Sequence, residues 1–499
     1  MMSRPKVIRG GLAATFGPSG WSGHRDILVV GDRIAEIGPP GLAAPEGAEI
    51  VDATNRLLIP GLVNAHAHTH LVLAKSMARE WSLELHLNAG PYTSGNRTHE
   101  ERSLSAKLLA VELIRNGCTA CYDMFTEQPV PSVEGVRAVA HAYLDIGIRA
   151  VIAPLMADRL FWNVIPGLAE KIPPQWRQEL DALEPPGPTA WIDAYRRVLE
   201  QWTVDRDMVR PAMAPLIPHH CSDELLVMMD RLAQEHALSL HIHLAESKVQ
   251  AVAGLELYGT TLTRHLGRLG LISERLIAGH AIWVDDDDIR RLAGGGAMVT
   301  HNPTSNLRLG SGLARVRHMR DAGIAVGIGT DTPSCSDDLN MFLAMRCAAY
   351  IARAITPDFT RWLDADAVLS MATVEGARIL GRDDIGSLTT GFKADIVFLD
   401  LDSTTFIPLN DIAHQLVYGE NGSSVDSVMI GGRMILERGQ LKTVDERRLR
   451  TEAQQAVERL ARANAGRKAL SARLEPIVAA HCSALSRRDY PVRRHVENT

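Results

Sequence analysis

The sequence predicts an α/β protein: a parallel (β/α)8 barrel with a small β domain built from both ends of the chain. Two observations predict this fold class. Between about residues 60 and 385, short apolar strands alternate with helical patterns in eight βα units, as in a parallel barrel. At both chain ends, short strands separated by Gly and Asp turns repeat one pattern, so we expect the two ends to pair.

These patterns divide the 499 residues into four segments. We predict the N-terminal half of the β domain at 1–59, the barrel at 60–385, the C-terminal half of the β domain at 386–445, and a helical extension with a polar tail at 446–499. The long connection 154–190 follows a barrel strand, where active-site lids are common. A surface excursion without function is the alternative for it.

The barrel prediction rests on alternating runs. After the strand before His66, strand-like runs lie at 120–124, 149–153, 209–213, 238–243, 276–280, 297–300 and 325–329. Helical patterns lie between them at 99–116, 132–146, 190–204, 222–236 and 285–293.

The composition excludes several classes of protein. A net charge of −6, with 46% hydrophobic and 22% charged residues, is that of a globular protein and lacks the basic surface of a nucleic-acid binder. The sequence shows no signal-peptide pattern and no window of about 18 apolar residues that could span a membrane. Six scattered cysteines are too sparse for a disulfide scaffold, and the C-x-x-C of Cys118 and Cys121 has no second pair at zinc-ribbon spacing. We therefore expect a cytoplasmic protein that binds neither nucleic acid nor membranes.

The C-terminal extension is charged and helical in pattern up to about Arg473. It predicts a helix that packs on the chain or forms an oligomer, so we expect a homo-oligomer, a dimer or larger. The basic residues that follow predict a solvated tail; they are Arg487, Arg488, Arg493 and Arg494.

His66 and His68 lie two residues apart at the end of the first predicted barrel strand. Residues i and i+2 of a strand face the same side, so both imidazoles could bind one metal ion. A strand with two exposed histidines is the alternative.

Polar residues follow three other predicted barrel strands, namely His243, His280 and Asp331. A parallel barrel brings the carboxyl ends of its strands to one face, so these side chains should meet. Imidazoles with one carboxylate suit Zn²⁺ or Fe²⁺ better than Mg²⁺ or Ca²⁺. Glu246 and Asp331 are the candidates for moving protons.

Five motifs in this order resemble the amidohydrolase superfamily, and more narrowly its branch of cytosine/guanine deaminases, S-adenosylhomocysteine deaminases and triazine hydrolases. They are PGLVNAHAH at 60–68, HLAE at 243–246, GH at 279–280 with the acidic run 285–288, HNPTSNLRLGSG at 301–312 and GTD at 329–331.

The resemblance implies a distorted (β/α)8 barrel beside a composite β-sandwich. It implies one divalent ion, Zn²⁺ or alternatively Fe²⁺, held by His66, His68, His243 and Asp331. Glu246 would shuttle a proton, and His280 would hydrogen-bond the attacking hydroxide or the carbonyl-like centre. Asp331 would also act as the base. The predicted strands 120–124 and 149–153 contain no lysine to bridge a second metal, which favours a mononuclear site.

Two pocket-forming segments depart from the pattern of the family. Leu216 stands where a substrate-binding histidine is expected, with His219 and His220 as offset candidates for that role. The segment 77–83 also differs and places Trp81 in an unusual context. We therefore expect a substrate other than adenosine or S-adenosylhomocysteine. The predicted substrate-binding residues are His70, Trp81, His219, His220 and Asn306.

The leading hypothesis is a mononuclear metal-dependent hydrolase of a small molecule with a non-peptide C–N bond. Its reaction would be the deamination of an amino-substituted nitrogen heterocycle by metal-bound hydroxide. The same site could instead hydrolyse an amide, urea or carbamate, or remove chloride from a triazine-like ring. A non-catalytic barrel scaffold is the remote alternative, which the presence of every expected ligand argues against.

Overall fold

The computed structural model describes residues 4–17 and 20–495. Its strands are β1 (Lys6–Thr15), β2 (Trp21–Val30), β3 (Arg33–Gly38), β4 (Glu49–Asp52), β5 (Arg56–Pro60), β6 (Leu62–Ala67), β7 (Cys118–Phe125), β8 (Arg149–Met156), β9 (Val209–Pro211), β10 (Ala214–Pro215), β11 (Leu240–Leu244), β12 (Leu276–His280), β13 (Met298–His301), β14 (Val326–Ile328), β15 (Ile396–Asp400), β16 (Val425–Ile430), β17 (Arg433–Glu437) and β18 (Gln440–Leu441).

The helices lie mostly between the barrel strands and after the last strand. They are α1 (Leu83–Thr93), α2 (His99–Arg115), α3 (Val133–Ile146), α4 (Phe161–Val164), α5 (Pro174–Asp181), α6 (Pro188–Glu200), α7 (Asp223–Glu235), α8 (Lys248–Tyr258), α9 (Leu262–Arg268), α10 (Asp286–Gly294), α11 (Pro303–Arg308), α12 (Val316–Asp321), α13 (Met341–Ile355), α14 (Ala365–Met371), α15 (Val374–Ile379), α16 (Ile412–His414), α17 (Glu446–Ala463) and α18 (Ala465–Ser486). Short 3₁₀ turns cover Thr69–Ala74, Ala169–Lys171, Pro218–His220, Phe359–Arg361 and Thr404–Phe406, and one π turn covers Gln415–Gly419.

Strands from the two ends of the chain form one nine-stranded sheet. Its order is β18-β17-β16-β15-β5-β1-β2-β3, with β4 paired to β1. The two halves meet where β15 runs antiparallel to β5, with Phe398 opposite Leu58. Both residues are buried, so their packing holds the C-terminal strands against the N-terminal ones. The domain boundaries stay a prediction.

The predicted distorted barrel is confirmed as two parallel sheets. One sheet has the order β10-β8-β7-β6 with β9 on β8, and the other has the order β11-β12-β13-β14. Single parallel bridges, Ala67 to Asp331 and Met213 to Leu240, join the two sheets. Strands β6, β7 and β8 are buried along their whole length, as expected for parallel strands covered by helices. The carboxyl ends of the strands therefore meet at one face.

The C-terminal extension packs on the barrel through α18 and α1. Asn88 of α1 donates from Nδ2 to the carbonyl oxygen of Ser471 at 3.0 Å, and Ser471 Oγ donates to the carbonyl oxygen of Asn88 at 2.9 Å. Trp162, from the connection 154–190, donates to Asn88 Oδ1 at 3.0 Å. The extension thus fixes both α1 and this connection, and both line the cavity described below.

The prediction of a solvated C-terminal tail is wrong at Arg494. Its side chain is buried, whereas those of Arg487, Arg488 and Arg493 are exposed. The reason is that its guanidinium reaches backbone carbonyl oxygens of the loop after β12, which replace water as its acceptors.

Cys118 and Cys121 are buried in β7 as free thiols. Burial raises the pKa of both thiols, so they are not poised for redox or metal chemistry. Within 4–17 and 20–495, no helix has the length and apolar character needed to cross a membrane.

Candidate metal centre and active site

Four predicted ligands converge at the carboxyl end of the barrel. His68 Nε2 lies 3.2 Å from His66 Nε2, 3.2 Å from His243 Nε2 and 3.3 Å from Asp331 Oδ1. His66 Nε2 lies 3.9 Å from the same carboxylate oxygen. Donor atoms of a tetrahedral site with bonds of about 2.0–2.1 Å lie roughly 3.3 Å apart, so this spacing suits one small ion. All four side chains are buried.

Backbone carbonyl groups orient two of the imidazoles. His68 donates from Nδ1 to the carbonyl oxygen of Met124, and His243 donates from Nδ1 to that of Leu216, each at 2.7 Å. The Nε2 lone pairs therefore face the cluster. Burial lowers the pKa of both His68 and His243 to about 4, so the rings are neutral at pH 7 and able to bind a metal.

His66, the first predicted ligand, has a side chain as its partner at Nδ1. His66 Nδ1 lies 3.1 Å from His241 Nε2, which in turn lies 3.2 Å from Thr300 Oγ1. Burial holds the pKa of His66 well below its usual range, and the neighbouring His68 lowers it further. His66 is therefore also a neutral ring whose Nε2 faces the cluster.

Asp331 is placed by a strained backbone and a close approach of strands. Its φ is +60°, a conformation that non-glycine residues seldom adopt. Its N–H donates to the carbonyl oxygen of His66 at 2.9 Å. A Cβ on Gly329 would lie 2.5 Å from the Cβ of His66, so only glycine lets β14 come this close to β6.

Glu246 and His280 lie beside the ligand cluster. His280 Nε2 is 3.6 Å from Glu246 Oε2 and 3.8 Å from Asp331 Oδ2. His280 donates from Nδ1 to Asn306 Oδ1 at 2.8 Å, and its Nε2 lies 3.1 Å from Asn302 Nδ2. Two asparagines thus hold the ring at a residue whose φ is +65°.

The two side chains have opposite pKa shifts. Burial raises the pKa of Glu246 well above its usual range, and the charge of Asp331 raises it further. Burial lowers the pKa of His280 to about 3. A carboxyl group with a raised pKa beside a neutral imidazole is an arrangement that can donate and accept protons during catalysis.

The residues fit a divalent metal ion. Three neutral imidazoles and one carboxylate oxygen match the ligand chemistry of zinc or ferrous iron. His280 and Glu246 also lie close enough to contribute ligand atoms, because Glu246, His280 and Asp331 form a further group whose ligand atoms lie within 4.8 Å of one another.

Two cavities adjoin this cluster. The metal cavity has about 80 Å³ and is lined by His68, His243, Glu246 and Asp331 among others. The outer cavity has about 920 Å³ and is bounded by α1, by the connection 154–190 and by the C-terminal extension. Six residues line both cavities and so lie at their boundary; these are His70, Leu71, His86, Leu87, Leu155 and Leu216.

The predicted substrate-binding residues lie in different places. His70 lines both cavities, and His220 lines the outer one. Asn306 contacts His280 and borders neither cavity. Trp81 and His219 also border neither; His219 is buried, and neither ring nitrogen has a hydrogen-bond partner among the residues described. The role of all five stays a prediction.

His86 lines the candidate active site although the sequence pattern does not predict it as a site residue. It lies on α1, lines both cavities and is 9% exposed, and its Nδ1 has no partner in the described part of the chain. Burial lowers the pKa of His86, which leaves a neutral ring facing the cavities. In the sequence it stands alone in a helix, without the spacing that made the strand histidines recognisable.

Comparison with known proteins decides the family. The profile of the Amidohydrolase family matches residues 57–435. The chain belongs to the amidohydrolase family. It is a hydrolase acting on carbon–nitrogen bonds other than peptide bonds.

Several relatives of this amidohydrolase are similar along most of their length. A 5-methylthioadenosine/S-adenosylhomocysteine deaminase of Carboxydothermus hydrogenoformans is 32% identical over 435 residues, which cover 86% of this chain and 92% of that protein. A 5′-deoxyadenosine deaminase of Methanothermobacter thermautotrophicus is 31% identical over 423 residues, covering 84% and 91%.

Solved structures show the same fold. An adenosine deaminase of Xanthomonas campestris with bound zinc has a TM-score of 0.80 and 27% identity, covering 91% of this amidohydrolase and 98% of that chain. Atrazine chlorohydrolase of Arthrobacter aurescens, complexed with zinc, has a TM-score of 0.80 and 25% identity, covering 90% and 99%.

Proposed function

We propose that this amidohydrolase removes an amino group, as ammonia, from an amino-substituted nitrogen heterocycle. The observation that carries the proposal is the position of Glu246, a carboxyl group with a raised pKa, beside both His280 and Asp331. A ring nitrogen next to the amino-bearing carbon must gain a proton as water adds, and a protonated carboxyl group can supply it. The names of the deaminase relatives support this chemistry.

One divalent ion, Zn²⁺ or alternatively Fe²⁺, would be held by His66, His68, His243 and Asp331. Such an ion lowers the pKa of a bound water to about 7 and polarises the carbon under attack. The zinc in two structural neighbours supports Zn²⁺.

Asp331, His280 and Glu246 would each have a separate part in the proton transfers. Asp331 directs Oδ1 to the histidines and Oδ2 towards His280, so Oδ2 is placed to take a proton from the attacking water. His280 Nε2 lies between the two carboxyl groups and would orient that water. Glu246 would give its proton to the ring nitrogen, and the proton that Asp331 took from the water would pass to the amino group, which leaves as ammonia. The hydroxyl proton left on the carbon would return to Glu246 as the carbonyl group forms.

The substrate differs from the purine nucleosides in the names of the relatives. Leu216 uses its carbonyl oxygen to orient His243, and its apolar side chain lines both cavities where a polar group was expected. Neutral histidines, His70 and His86, line the passage instead. We therefore expect a heterocyclic ring whose hydrogen-bond donors and acceptors are arranged differently from those of adenine.

Ammonia release is the direct test. Zinc-loaded protein is incubated with aminopyrimidines, purines, pterins, aminotriazines and aryl ureas, with the Glu246→Gln protein as the matched control. We expect ammonia from at least one amino heterocycle and none from the control. Turnover confined to ureas or amides would replace deamination with the alternative hydrolysis.

Dechlorination of a triazine-like ring is a second candidate. The observation that favours it is the likeness to atrazine chlorohydrolase at a TM-score of 0.80. The same ligands would serve, since water again adds to a ring carbon that bears a leaving group. Chloride release from a chlorotriazine, measured in the same screen, separates the two reactions.

Cytoplasmic location and homo-oligomeric assembly remain proposals of the same kind. Within one chain, α18 packs on α1, so this face of the C-terminal extension is already covered. Size-exclusion chromatography with light scattering measures the assembly directly.

A further inference from the structure

The outer cavity has a positively charged wall. Its lining includes Arg97, Arg102, Arg159, Arg459 and Arg467, whereas Glu184 is the one acidic side chain among the described lining residues. The whole chain carries a net charge of −6, so this excess of arginine is local. A cavity lined mainly by one sign of charge attracts ligands of the opposite sign.

Arg97 is the buried member of this group, with 7% of its surface exposed. Its guanidinium donates only to uncharged acceptors, from Nη1 to Ser105 Oγ at 3.0 Å and from Nη2 to the carbonyl oxygen of Thr93 at 2.9 Å. Its Nε has no partner among the residues described. A buried cation without a bound carboxylate is unfavourable, so it indicates a missing anion.

The carboxylates near Arg97 are bound to other arginines. Arg459 donates from Nε to Glu101 Oε1 at 2.5 Å and from Nη2 to Oε2 of the same carboxylate. Arg102 Nη1 lies 3.6 Å from Glu127 Oε1. Glu101 also attracts Arg97 electrostatically, but among the described residues no carboxylate forms a hydrogen bond or an ion pair with Arg97, which leaves this guanidinium available to a ligand.

The outer cavity and the metal cavity share His70 and His86 as lining residues, so these two side chains lie at the boundary between the cavities. The rings of His70 and His68 lie 5.4 Å apart between their centroids, so His70 stands directly beside the ligand cluster. A molecule whose ring occupies the metal cavity would extend past these histidines into the positively charged part.

We propose that the substrate carries an anionic group, a carboxylate or a phosphate, on an arm that extends from its amino-heterocyclic ring, and that Arg97 binds this group. The proposal rests on the proposed function, because it assumes that the ring lies at the metal centre. A guanidinium binds either oxyanion through charge-assisted hydrogen bonds.

Arg97 also has a structural role that the test must separate. Its bonds to Thr93 and Ser105 join the end of α1 to α2, so its removal could loosen the cavity wall. A loosened wall would weaken the binding of neutral and anionic ligands alike. Loss of an anion contact would weaken the binding of the anionic ligands alone.

The experiment compares ligands that share a ring and differ in charge. Pterin is paired with pterin-6-carboxylate, and 6-hydroxymethylpterin with its phosphate ester. Their dissociation constants are measured by calorimetry on the zinc-loaded, full-length Glu246→Gln protein, in which no turnover interferes. The same measurements follow with Arg97→Met, Arg97→Lys and, as a control, Arg317→Met, whose side chain pairs with Asp321 at 2.8 Å on the surface.

We expect the anionic member of at least one pair to bind about 10–100-fold more tightly than the neutral member. Arg97→Met should abolish this difference, Arg97→Lys should retain part of it, and Arg317→Met should leave it unchanged. The pair that shows the difference identifies the anionic group of the substrate as a carboxylate or as a phosphate. Equal binding within both pairs, or an equal loss for both members on Arg97→Met, would overturn the proposal. Because binding is measured without turnover, a failed ammonia screen counts against the proposed function alone.

Discussion

Arg494 donates a hydrogen bond from Nε to the carbonyl oxygen of Ile282 at 2.7 Å. Its Nη2 donates to the carbonyl oxygen of Val284, and its own carbonyl oxygen accepts from the N–H of Leu313 at 2.8 Å. Ile282 follows His280 by two residues. The C-terminal tail therefore holds the loop that orients the histidine of the candidate active site.

Arg494→Met should lower kcat by roughly 10-fold without loss of bound zinc. The loop after β12 would lose its two hydrogen bonds from the guanidinium, and the ring of His280 would then no longer be held in its orientation. Burial lowers the pKa of Arg494 to about 10, so the native side chain is charged at pH 7. The measurements are kcat and KM on a substrate from the screen, together with zinc content. Arg493→Met, a change at an exposed neighbour, is the control. A change in KM alone would show that the tail shapes the substrate pocket and does not position His280.

Local pattern was enough to predict the strand-end residues. Alternation within β6 puts His66 and His68 on one side, and a parallel barrel brings strand ends together, so the approach of His243 and Asp331 follows from topology. The structure brings these four side chains together, while their binding of a metal stays a prediction.

The residues that sequence reasoning missed depend on contacts distant in the chain. Arg494 looks solvated in a polar tail, and only the position of the loop at Ile282 gives it buried acceptors. His86 lies on α1 and Arg97 lies just after it, and the position of α1 depends on α18, nearly 400 residues later. A periodic pattern cannot predict which loop a distant helix will press against the barrel.

Removing the carboxylate ligand should remove the metal. Asp331→Asn should weaken zinc binding by about 10-fold or more and abolish turnover while the fold stays intact, because the amide keeps the shape but lacks the charge. Zinc content after dialysis, circular dichroism and ammonia release measure the three effects. Full activity in a metal-depleted Asp331→Asn protein would contradict the assignment of the metal centre. A strong chelator should inactivate the native protein, with recovery on adding Zn²⁺.

Glu246→Gln should lower kcat by about 10²–10⁴-fold, the range lost with a general acid–base group. Zinc content should not change, because the four predicted ligands remain. Glu420 is a matched control: it accepts from the N–H of Gly422 at 2.7 Å, is also buried, and lines neither cavity. Its change to Gln should affect kcat much less. Equal losses in the two variants would indicate a general effect of buried charge and no specific proton transfer by Glu246.

A cluster of charges joins the base of the barrel to the β domain around Asp207. Its Oδ2 lies 3.2 Å from Arg149 Nη1 and 2.9 Å from Lys393 Nζ, and its Oδ1 lies 2.9 Å from Arg382 Nη2. Partial burial alone would raise the pKa of Asp207, but hydrogen bonds from Lys393 and Arg382 and the charge of Arg149 outweigh it and hold this pKa well below its usual range.

The lowered pKa of Asp207 determines how the stability of the fold should change with pH. Unfolded chains release the Asp207 proton near pH 3.8, so the ionised carboxylate stabilises the fold above that pH, and this contribution is lost as the pH falls through the lower folded pKa. Asp207→Asn should therefore lower the midpoint of thermal unfolding by about 1–2 °C at pH 7, and the difference from the native protein should shrink below about pH 4. Scanning fluorimetry from pH 7 to pH 3 measures it. Asp321→Asn, which breaks the surface pair with Arg317, is the control and should change the midpoint less. A difference that is constant across this range would mean that the side chain stabilises the junction by packing, because a contribution from its charge must decline once the pH falls below the pKa of the unfolded chain.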